Sequence, residues 1–474
     1  MNGHDQRTDP ACPCLVARES PYTPARVVEL DLDDAGEPRS PLRPRPAGPD
    51  GRVLALVRLH GHPLGLVSAT GVPGDPAGMR RALVDAAQHR LAEPIARHLA
   101  ADALRQPAFP AAHGPHPCRA RRAEVLADPP TISVVVATHN RVGTLRECLD
   151  SLLRTGYPGL EVIVVDNAPA NDDAQALIRR QYQDRVRYLR EPVAGLARAH
   201  NCGLAAAGGE ITAFTDDDTV VDREWPAALA EAFAADPRTG CVTGLIVPAE
   251  LETRTQADLQ RHGGYDKGFT PRSWSLDRPP GDPLFPFTAG RFGSGANMAY
   301  RTDLLRRLGG FDPATGTGTP ARGGDDLLGF FRALVAGATL AYRPDAVVWH
   351  RDRRTPQALV DQAFGYGTGL GAFLAAAVAN EPDMLPALAR RLPRGIHYAA
   401  TRRRSAKAGA AAAGAEAGAG AGTGDGWSRR LTLLEVQGLL YGPVGYLRSL
   451  HRTRRLDHGH RPGPGPRQPE PVAS

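Results

Sequence analysis

Three consecutive carboxylates, Asp216, Asp217 and Asp218, follow directly on the apolar run Ile211-Thr212-Ala213-Phe214 and are flanked by Thr215 and Thr219. Like charges set that close raise one another's pKa. A divalent cation bound by oxygen ligands relieves the repulsion, and such a metal commonly holds substrate phosphates as well. An isolated acidic triplet reads equally well as a solvated turn. This one is one of four polar clusters that follow predicted strands, so a ligand site at the rim of a sheet is the better reading.

The elements that position the clusters begin at Thr131, where the chain starts to alternate short β-branched runs with helical periodicity. Segments 132–137, 162–165 and 211–214 read as buried strands and 186–189 as a short strand. Segments 144–153, 174–183 and 196–207 read as helices, the last stopped by Gly208-Gly209. A β-α-β-α-β series implies a parallel sheet with helices on both faces and ligands at the carboxyl ends of its strands. Further on, helices are expected at 225–234, 302–308 and 327–336, and strands at 241–247, 296–300, 339–342 and 347–350. The stretch 250–290 reads as a long polar loop, of a length that usually carries function.

Composition sets the frame around this unit. A chain of 474 residues has room for two or three domains of ~100–200 residues each. Residues 1–25 read as a disordered tail and 26–106 as a small β-β-β-α module, with strands at 27–32, 53–59 and 63–67 and one or two helices in 77–104. Residues 107–130 read as linker, 131–355 as the sheet domain, 356–407 as a helical extension and 408–426 as an Ala/Gly-rich spacer. Residues 427–474 read as a helical segment with a basic tail, 431–450 forming an amphipathic helical hairpin. The linker carries His113, His116 and Cys118, which lack a fourth ligand nearby and read as a chance grouping. The six cysteines show no metal-ligand spacing; Cys12 and Cys14 read as free thiols, and single buried cysteines suit a reducing compartment.

A net charge of +6 is too small to mark a nucleic-acid binder, though it favours phosphates or an anionic membrane surface. The first 24 residues lack the pattern of a signal peptide. No run reaches the ~18 apolar residues of a spanning helix, the nearest being 370–379. The expectation is a cytoplasmic protein, with peripheral contact at the inner membrane surface through the arginine-flanked apolar stretch near the C-terminus.

From Ile132 to about His350 the chain resembles family 2 glycosyltransferases of the GT-A fold. The resemblance rests on Val136-Ala137-Thr138-His139-Asn140-Arg141 after the first strand and Val164-Val165-Asp166-Asn167 after the second. It continues through Gly195 to Glu210, Thr215 to Asp218, Gly309-Gly310-Phe311-Asp312 and Gly324-Asp325-Asp326. Each motif is weak alone; six in the family's order are specific, and they cover a little under half of the chain. The resemblance implies an α/β fold with a doubly wound mixed sheet, and an inverting transferase that moves a sugar from a nucleotide sugar, a UDP-hexose, to an acceptor hydroxyl. The product implied is a cell-surface polysaccharide or glycolipid, the acceptor a glycan or lipid-linked molecule, and no nucleic-acid partner is expected.

Carried over residue by residue, the resemblance gives Asp166 to the nucleotide base, where a carboxylate accepts an N–H from uracil. Thr138, Asn140, Arg141 and Asp217 lie along the same rim, and Arg198 and Asn201 share a helical face at i and i+3. Asp216 and Asp218 match the DxD pair that binds magnesium or manganese, and in some relatives a histidine at the place of His350 completes the metal shell, the alternative being a structural histidine at a strand end. Asp326 matches the general base. The family commonly has Glu-Asp where this chain has Asp325-Asp326, so Asp325 stays a second candidate for that role. Arg351, Arg353 and Arg354 either clamp a diphosphate or cover a solvated edge. Two rival functions remain: a sugar-nucleotide-forming nucleotidyltransferase, whose Gly-rich, Arg- and Lys-bearing loop residues 138–143 lack, and a non-catalytic nucleotide-sugar-binding module, against which stand two complete acidic clusters.

Overall fold

The structure, a computed structural model, describes residues 24–42, 51–72, 74–103, 116–262, 265–391, 393 and 424–459. Its strands are β1 (Arg26–Asp31), β2 (Arg52–Leu59), β3 (His62–Thr70), β4 (Ile132–Thr138), β5 (Leu160–Asn167), β6 (Arg187–Glu191), β7 (Ile211–Asp216), β8 (Thr219–Val221), β9 (Thr239–Pro248), β10 (Arg272–Trp274), β11 (Met298–Arg301) and β12 (Thr339–His350). The first three form their own small sheet in the order β1-β2-β3. The large sheet runs β10-β12-β9-β11-β7-β4-β5-β6, with β8 beside β12. Its centre, β7-β4-β5-β6, is parallel, whereas β11 lies antiparallel between β7 and β9. This is a doubly wound mixed sheet.

Alternation along the strands explains why both faces are covered. Val135, Ile163, Val165 and Phe214 point into one core with the helices Leu196–Ala206, Asp325–Val335 and Pro356–Asn380. Val134, Val136, Val162, Val164 and Ala213 point into the other, with the helices Val142–Arg154, Asp173–Gln181 and Trp225–Ala235. A strand buried on both sides has no polar face to show, which is why these runs read as uninterrupted Val and Ile. Phe214 and Phe311 meet edge to face at 5.2 Å, a geometry worth about 0.5–1.5 kcal/mol beyond the area buried.

Several local expectations change. Segments 339–342 and 347–350 are one strand, β12, interrupted by a register shift between Arg343 and Val347. The three-residue strands β8 and β10 are too short to carry a period, and the stretch expected as a polar loop over 250–290 holds the helix Arg254–His262 as well as β10. The expected linker holds a helix, Ala120–Ala127, whose Arg122 is buried. Segment 431–450 is not a hairpin but part of one helix, Gly424–Gly459, with Pro443 inside it. The tail up to residue 23 and spacer residues 408–423 lie outside the described residues.

That last helix runs parallel to Pro356–Asn380, and glycine makes the approach possible. A Cβ at Gly367 would sit 1.9 Å from the carbonyl oxygen of Glu435, and one at Gly442 would sit 2.5 Å from the backbone nitrogen of Ala372. The pairing also buries Tyr446, whose hydroxyl donates to Asp312 at 2.9 Å.

The small N-terminal sheet docks on the large one through buried charge. Arg58 pairs with Asp222, both under a tenth exposed, and lies 3.4 Å from Glu29. His62 lies 2.8 Å from Asp345, and Arg122 reaches Glu231 at 2.9 Å and Glu224 at 3.1 Å. Breaking a buried pair strands a charge without a partner. Arg58→Ala is therefore expected to lower stability by about 3–5 kcal/mol in denaturant titrations; a loss below ~1 kcal/mol would mean that water solvates Asp222 in the folded state.

Candidate active site

The site forms where the parallel strands end. Register places Thr138 beside Asp166 and Ala137 beside Asp216, so the ends of β4, β5 and β7 share one rim. A tight turn then reverses the chain from β7 into β8. Thr215 and Thr219 close it with hydroxyls 2.9 Å apart, and Thr219 also donates to the Asp216 carbonyl at 2.7 Å. Because β8 pairs with the end of β12, His350 lies opposite Thr219 and the turn delivers Asp218 to the imidazole.

Asp216, Asp218 and His350 each offer a ligand atom, all within 4.8 Å of one another. His350 Nε2 is 3.4 Å from Asp218 Oδ1, which is buried and accepts no hydrogen bond among the described residues. Burial and then the Asp218 charge push the Asp216 carboxyl up. Burial would raise Asp218 too, but His350, Arg141 and Arg353 outweigh it and hold this carboxyl well below the ordinary range. Burial would lower His350, yet Asp218 and Asp352 outweigh it and keep the ring protonated far above its usual range. A carboxylate oxygen that accepts no hydrogen bond, a second carboxylate and an imidazole form a donor set that fits magnesium or manganese, with the cation taking the place of the imidazolium proton.

Asp352 was not legible as part of this group. It is 3 % exposed, its Oδ1 lies 3.1 Å from His350 Nδ1, and its Oδ2 accepts from Gln260 at 2.7 Å. A carboxylate behind a ligating histidine fixes the ring and its tautomer. Its only sequence signal is the spacing of two from His350. Tyr265 was also missed: its ring lies 4.9 Å from that of His350, its hydroxyl is bonded to that of Tyr366, and Gln362 donates to both at 2.7 Å. Through Tyr366 and Gln362 the helix Pro356–Asn380 therefore covers one side of the cluster.

Asp217 is turned away from its neighbours. It accepts from Thr138 Oγ1 at 2.7 Å and from Arg141 at 3.2 Å, while Arg141 also donates to Asp218 at 2.9 Å. Thr138 and Asp217 thus anchor the triplet to β4. Asn140, at φ 55, accepts from the backbone of Ala170 at 2.9 Å and ties the two rim loops together. Asp166 is buried at the end of β5 with Oδ2 accepting from Tyr188 at 2.9 Å; burial raises its pKa.

Arg198 lies in the first turn of helix Leu196–Ala206, and Gly195 before it is held by Asn167 Oδ1 at 2.9 Å. Asn201, one turn further along, is engaged by the chain itself. Its amide both donates to and accepts from the backbone of Phe311, at 2.7 and 2.8 Å, and so pins the Gly309-Gly310-Phe311 turn. Arg351 is bound to Glu147 and Glu250, and Arg354 to Glu250 and Glu252. Those two serve this loop; Arg353, 3.8 Å from Asp218, is the one aimed at the cluster.

Asp325 and Asp326 begin the helix Asp325–Val335 and face different ways. Asp325 is 5 % exposed, 3.5 Å from the buried His200, and sealed by Gly316, where a Cβ would lie 3.3 Å from its carboxyl carbon. Asp326 is half-buried; its Oδ2 accepts from Gly295 N and its Oδ1 from Leu327 N, both at 2.8 Å. Burial and then the neighbouring Asp325 raise its pKa to about 6. Lys267, from the long loop, is close enough to feel the Asp326 charge, and burial lowers its own pKa. Gly295 connects the two centres, because the next carbonyl, Ala296 O, accepts from Thr215 Oγ1 at 2.8 Å.

The Asp216–Asp218–His350 cluster and a separate carboxyl with a raised pKa thus lie together on the carboxyl rim of a mixed, doubly wound sheet of the GT-A type. The model of the family described as Glycosyl transferase family 2 matches residues 133–309, within the sheet domain. The "Pre-mycofactocin glycosyltransferase" of Mycobacterium tuberculosis is 30% identical over 226 residues, 47% of this chain and 43% of that one. The "Poly-beta-1,6-N-acetyl-D-glucosamine synthase" of Staphylococcus epidermidis is 30% identical over 114 residues, 24% of this chain and 28% of that one. The chain thus spans less than half the length of these curated relatives. Among solved structures, a mannosyltransferase from Pyrobaculum calidifontis in complex with GDP-Man and Mn2+ is similar over 73% of this chain and 96% of that one, at 21% identity and a TM-score of 0.44.

Proposed function

We propose that the protein is an inverting glycosyltransferase, dependent on magnesium or manganese, that moves a hexosyl group from a UDP-sugar to a hydroxyl of a glycan or lipid-linked acceptor. The observation that carries this reading is the pairing of two acidic centres across residues 295–296: Ala296 O is bonded to the strand that bears the triplet, and Gly295 N to Asp326. A nucleotidyltransferase needs no base placed beside such a cluster, and the family match speaks against it.

Each residue then has a task. Asp166 keeps one oxygen free of Tyr188 to accept the imide N–H of uracil. Asp216, Asp218 and His350 hold the cation, which when bound stabilises charge on the departing diphosphate. Arg141 and Arg353 bring positive charge to the same rim. Asp326 takes the proton of the acceptor hydroxyl, its carboxylate oriented by two backbone N–H groups. Asp325, shut away with His200, positions the start of that helix. The relative named as a poly-beta-1,6-N-acetyl-D-glucosamine synthase supports a cell-surface polysaccharide or glycolipid as product.

Thermal unfolding with a panel of nucleoside diphosphates tests the donor. UDP with manganese is expected to raise the melting temperature, since a ligand at 100 times its Kd stabilises by about 2.7 kcal/mol. GDP, ADP and CDP should do less, and UDP with chelator far less. A larger shift with a purine diphosphate would reject uracil as the base.

The same chain is proposed to work at an anionic membrane surface. No described helix is long and apolar enough to cross a membrane. The helix Gly424–Gly459, however, exposes Leu433, Val436, Leu440, Val444 and Leu447, with Leu440 75% exposed. These recur every three or four residues, which makes one stripe. Arg429, Arg430, Arg448, Arg452, Arg454 and Arg455 flank it, and each basic residue near an anionic surface adds roughly 1 kcal/mol. The protein is expected to sediment with phosphatidylserine vesicles and to be released by high salt. Equal binding to neutral vesicles, or release only by detergent, would contradict a peripheral electrostatic contact.

A further inference from the structure

Away from the rim, the small N-terminal module assembles a second group of metal-ligand side chains from three separate parts of the chain. His60 sits at the β2–β3 turn, at φ 53. His98 and Asp102 lie at i and i+4 on the helix Ala92–Ala103 and so share a face. Cys118 comes from the turn Pro117–Arg119 that leads into the helix Ala120–Ala127. His60, Asp102 and Cys118 are all under a tenth exposed, and one ligand atom from each of the four lies within 4.8 Å of the others.

The distances match those between neighbouring ligand atoms of a coordination shell. His60 Nδ1 lies 3.2 Å from His98 Nε2, 3.3 Å from Asp102 Oδ2 and 3.5 Å from Cys118 Sγ. Zinc bonds of about 2.0–2.1 Å to nitrogen or oxygen and 2.3 Å to sulfur, set tetrahedrally, put neighbouring ligand atoms roughly 3.3–3.6 Å apart. Hydrogen bonding alone does not account for the arrangement. A ring nitrogen has one proton or one lone pair, yet three polar atoms converge on this one. The carboxylate is also pre-set: the backbone N–H of Cys118 donates to Asp102 Oδ1 at 2.6 Å, which leaves Oδ2 facing His60.

We propose that His60, His98, Asp102 and Cys118 bind a structural zinc ion, with Cys118 giving up its thiol proton as it ligates. The closed four-ligand set leaves no position for substrate, so the ion is structural and not catalytic. It joins the turn of the small sheet, the second helix of the module and the segment that packs on helix Trp225–Ala235 through Arg119 and Arg122. His116, one of the three linker residues singled out from sequence, stacks on His60 at 3.7 Å with its Nε2 3.2 Å from Asp33, outside the shell; His113 lies outside the described residues. This assignment does not depend on the transferase reading.

Cobalt(II) is the probe, because a tetrahedral cobalt–thiolate site shows a sulfur-to-metal charge-transfer band in the near ultraviolet, and Asp216, Asp218 and His350 contain no thiolate. The full chain, stripped of metal under reducing conditions, is expected to gain that band with one equivalent of cobalt and to lose it on adding zinc. Asp218→Asn should retain the band; Cys118→Ser and His98→Gln should each lose it, and zinc content after purification should fall by one equivalent. Absence of the band in the unmodified chain overturns the proposal, whether or not either variant folds. So does its persistence in Cys118→Ser, which would assign the thiolate to another cysteine.

Discussion

Asp326→Asn is expected to lower turnover by ~10²–10⁴, the range for loss of a general base, while leaving the UDP-dependent rise in melting temperature intact. The amide keeps the shape and can still accept from Gly295 N, but it cannot take a proton from the acceptor. The paired variant Asp325→Asn separates two roles that the sequence left side by side. Asp325 is buried against His200, so its replacement should act mainly on stability and not on the proton transfer. If Asp325→Asn instead stops turnover with folding unchanged, the base is assigned to the wrong carboxyl.

The raised pKa of Asp326, about 6, adds a sign that can be checked. A base must be ionised to work, so kcat/KM should fall as pH drops below about 6. Stability runs the other way. The folded carboxyl holds its proton more tightly than the unfolded one, near ~3.9. Its stabilising contribution is thus complete below that value and is lost as pH rises through the folded pKa. An acidic limb still present in Asp326→Asn would belong to another group.

Most of the sheet domain was legible because its strands are buried on both faces and so carry an unbroken apolar signal, as in Val134-Val135-Val136. The residues ending those strands were legible for the same reason, since a polar cluster stands out after such a run. Pairings between distant segments were not. Nothing in the order of residues says that Asn201 clamps Phe311, or that Arg351 and Arg354 are taken up by Glu250. Cys118 read as one of a chance grouping with His113 and His116 because its neighbours in space, His60 and Asp102, are 58 and 16 residues away. The hairpin expected at 431–450 failed because glycine and proline usually break helices, whereas here Gly438 and Gly442 are the contact surface for a neighbouring helix and tertiary packing overrides propensity.

Removing the cation should remove both donor binding and turnover. Without it, half-buried Asp216 and buried Asp218 lie close together, and Asp218 is balanced by protonated His350 with help from Arg141 and Arg353. Brief exposure to chelator, too short to draw out a closed four-ligand zinc site, is therefore expected to abolish transfer, and manganese or magnesium to restore it. Asp218→Asn takes away the oxygen that has no hydrogen-bond partner and a full negative charge, so the manganese-dependent part of the UDP thermal shift should vanish. Asp352→Asn reaches the site only through His350, and loss of such a supporting carboxylate typically weakens metal binding by 10–100-fold. Its activity should accordingly return at high manganese, whereas that of Asp218→Asn should not. Equal turnover with manganese and with excess chelator would show that the charge of the leaving diphosphate is met by Arg141 and Arg353 alone.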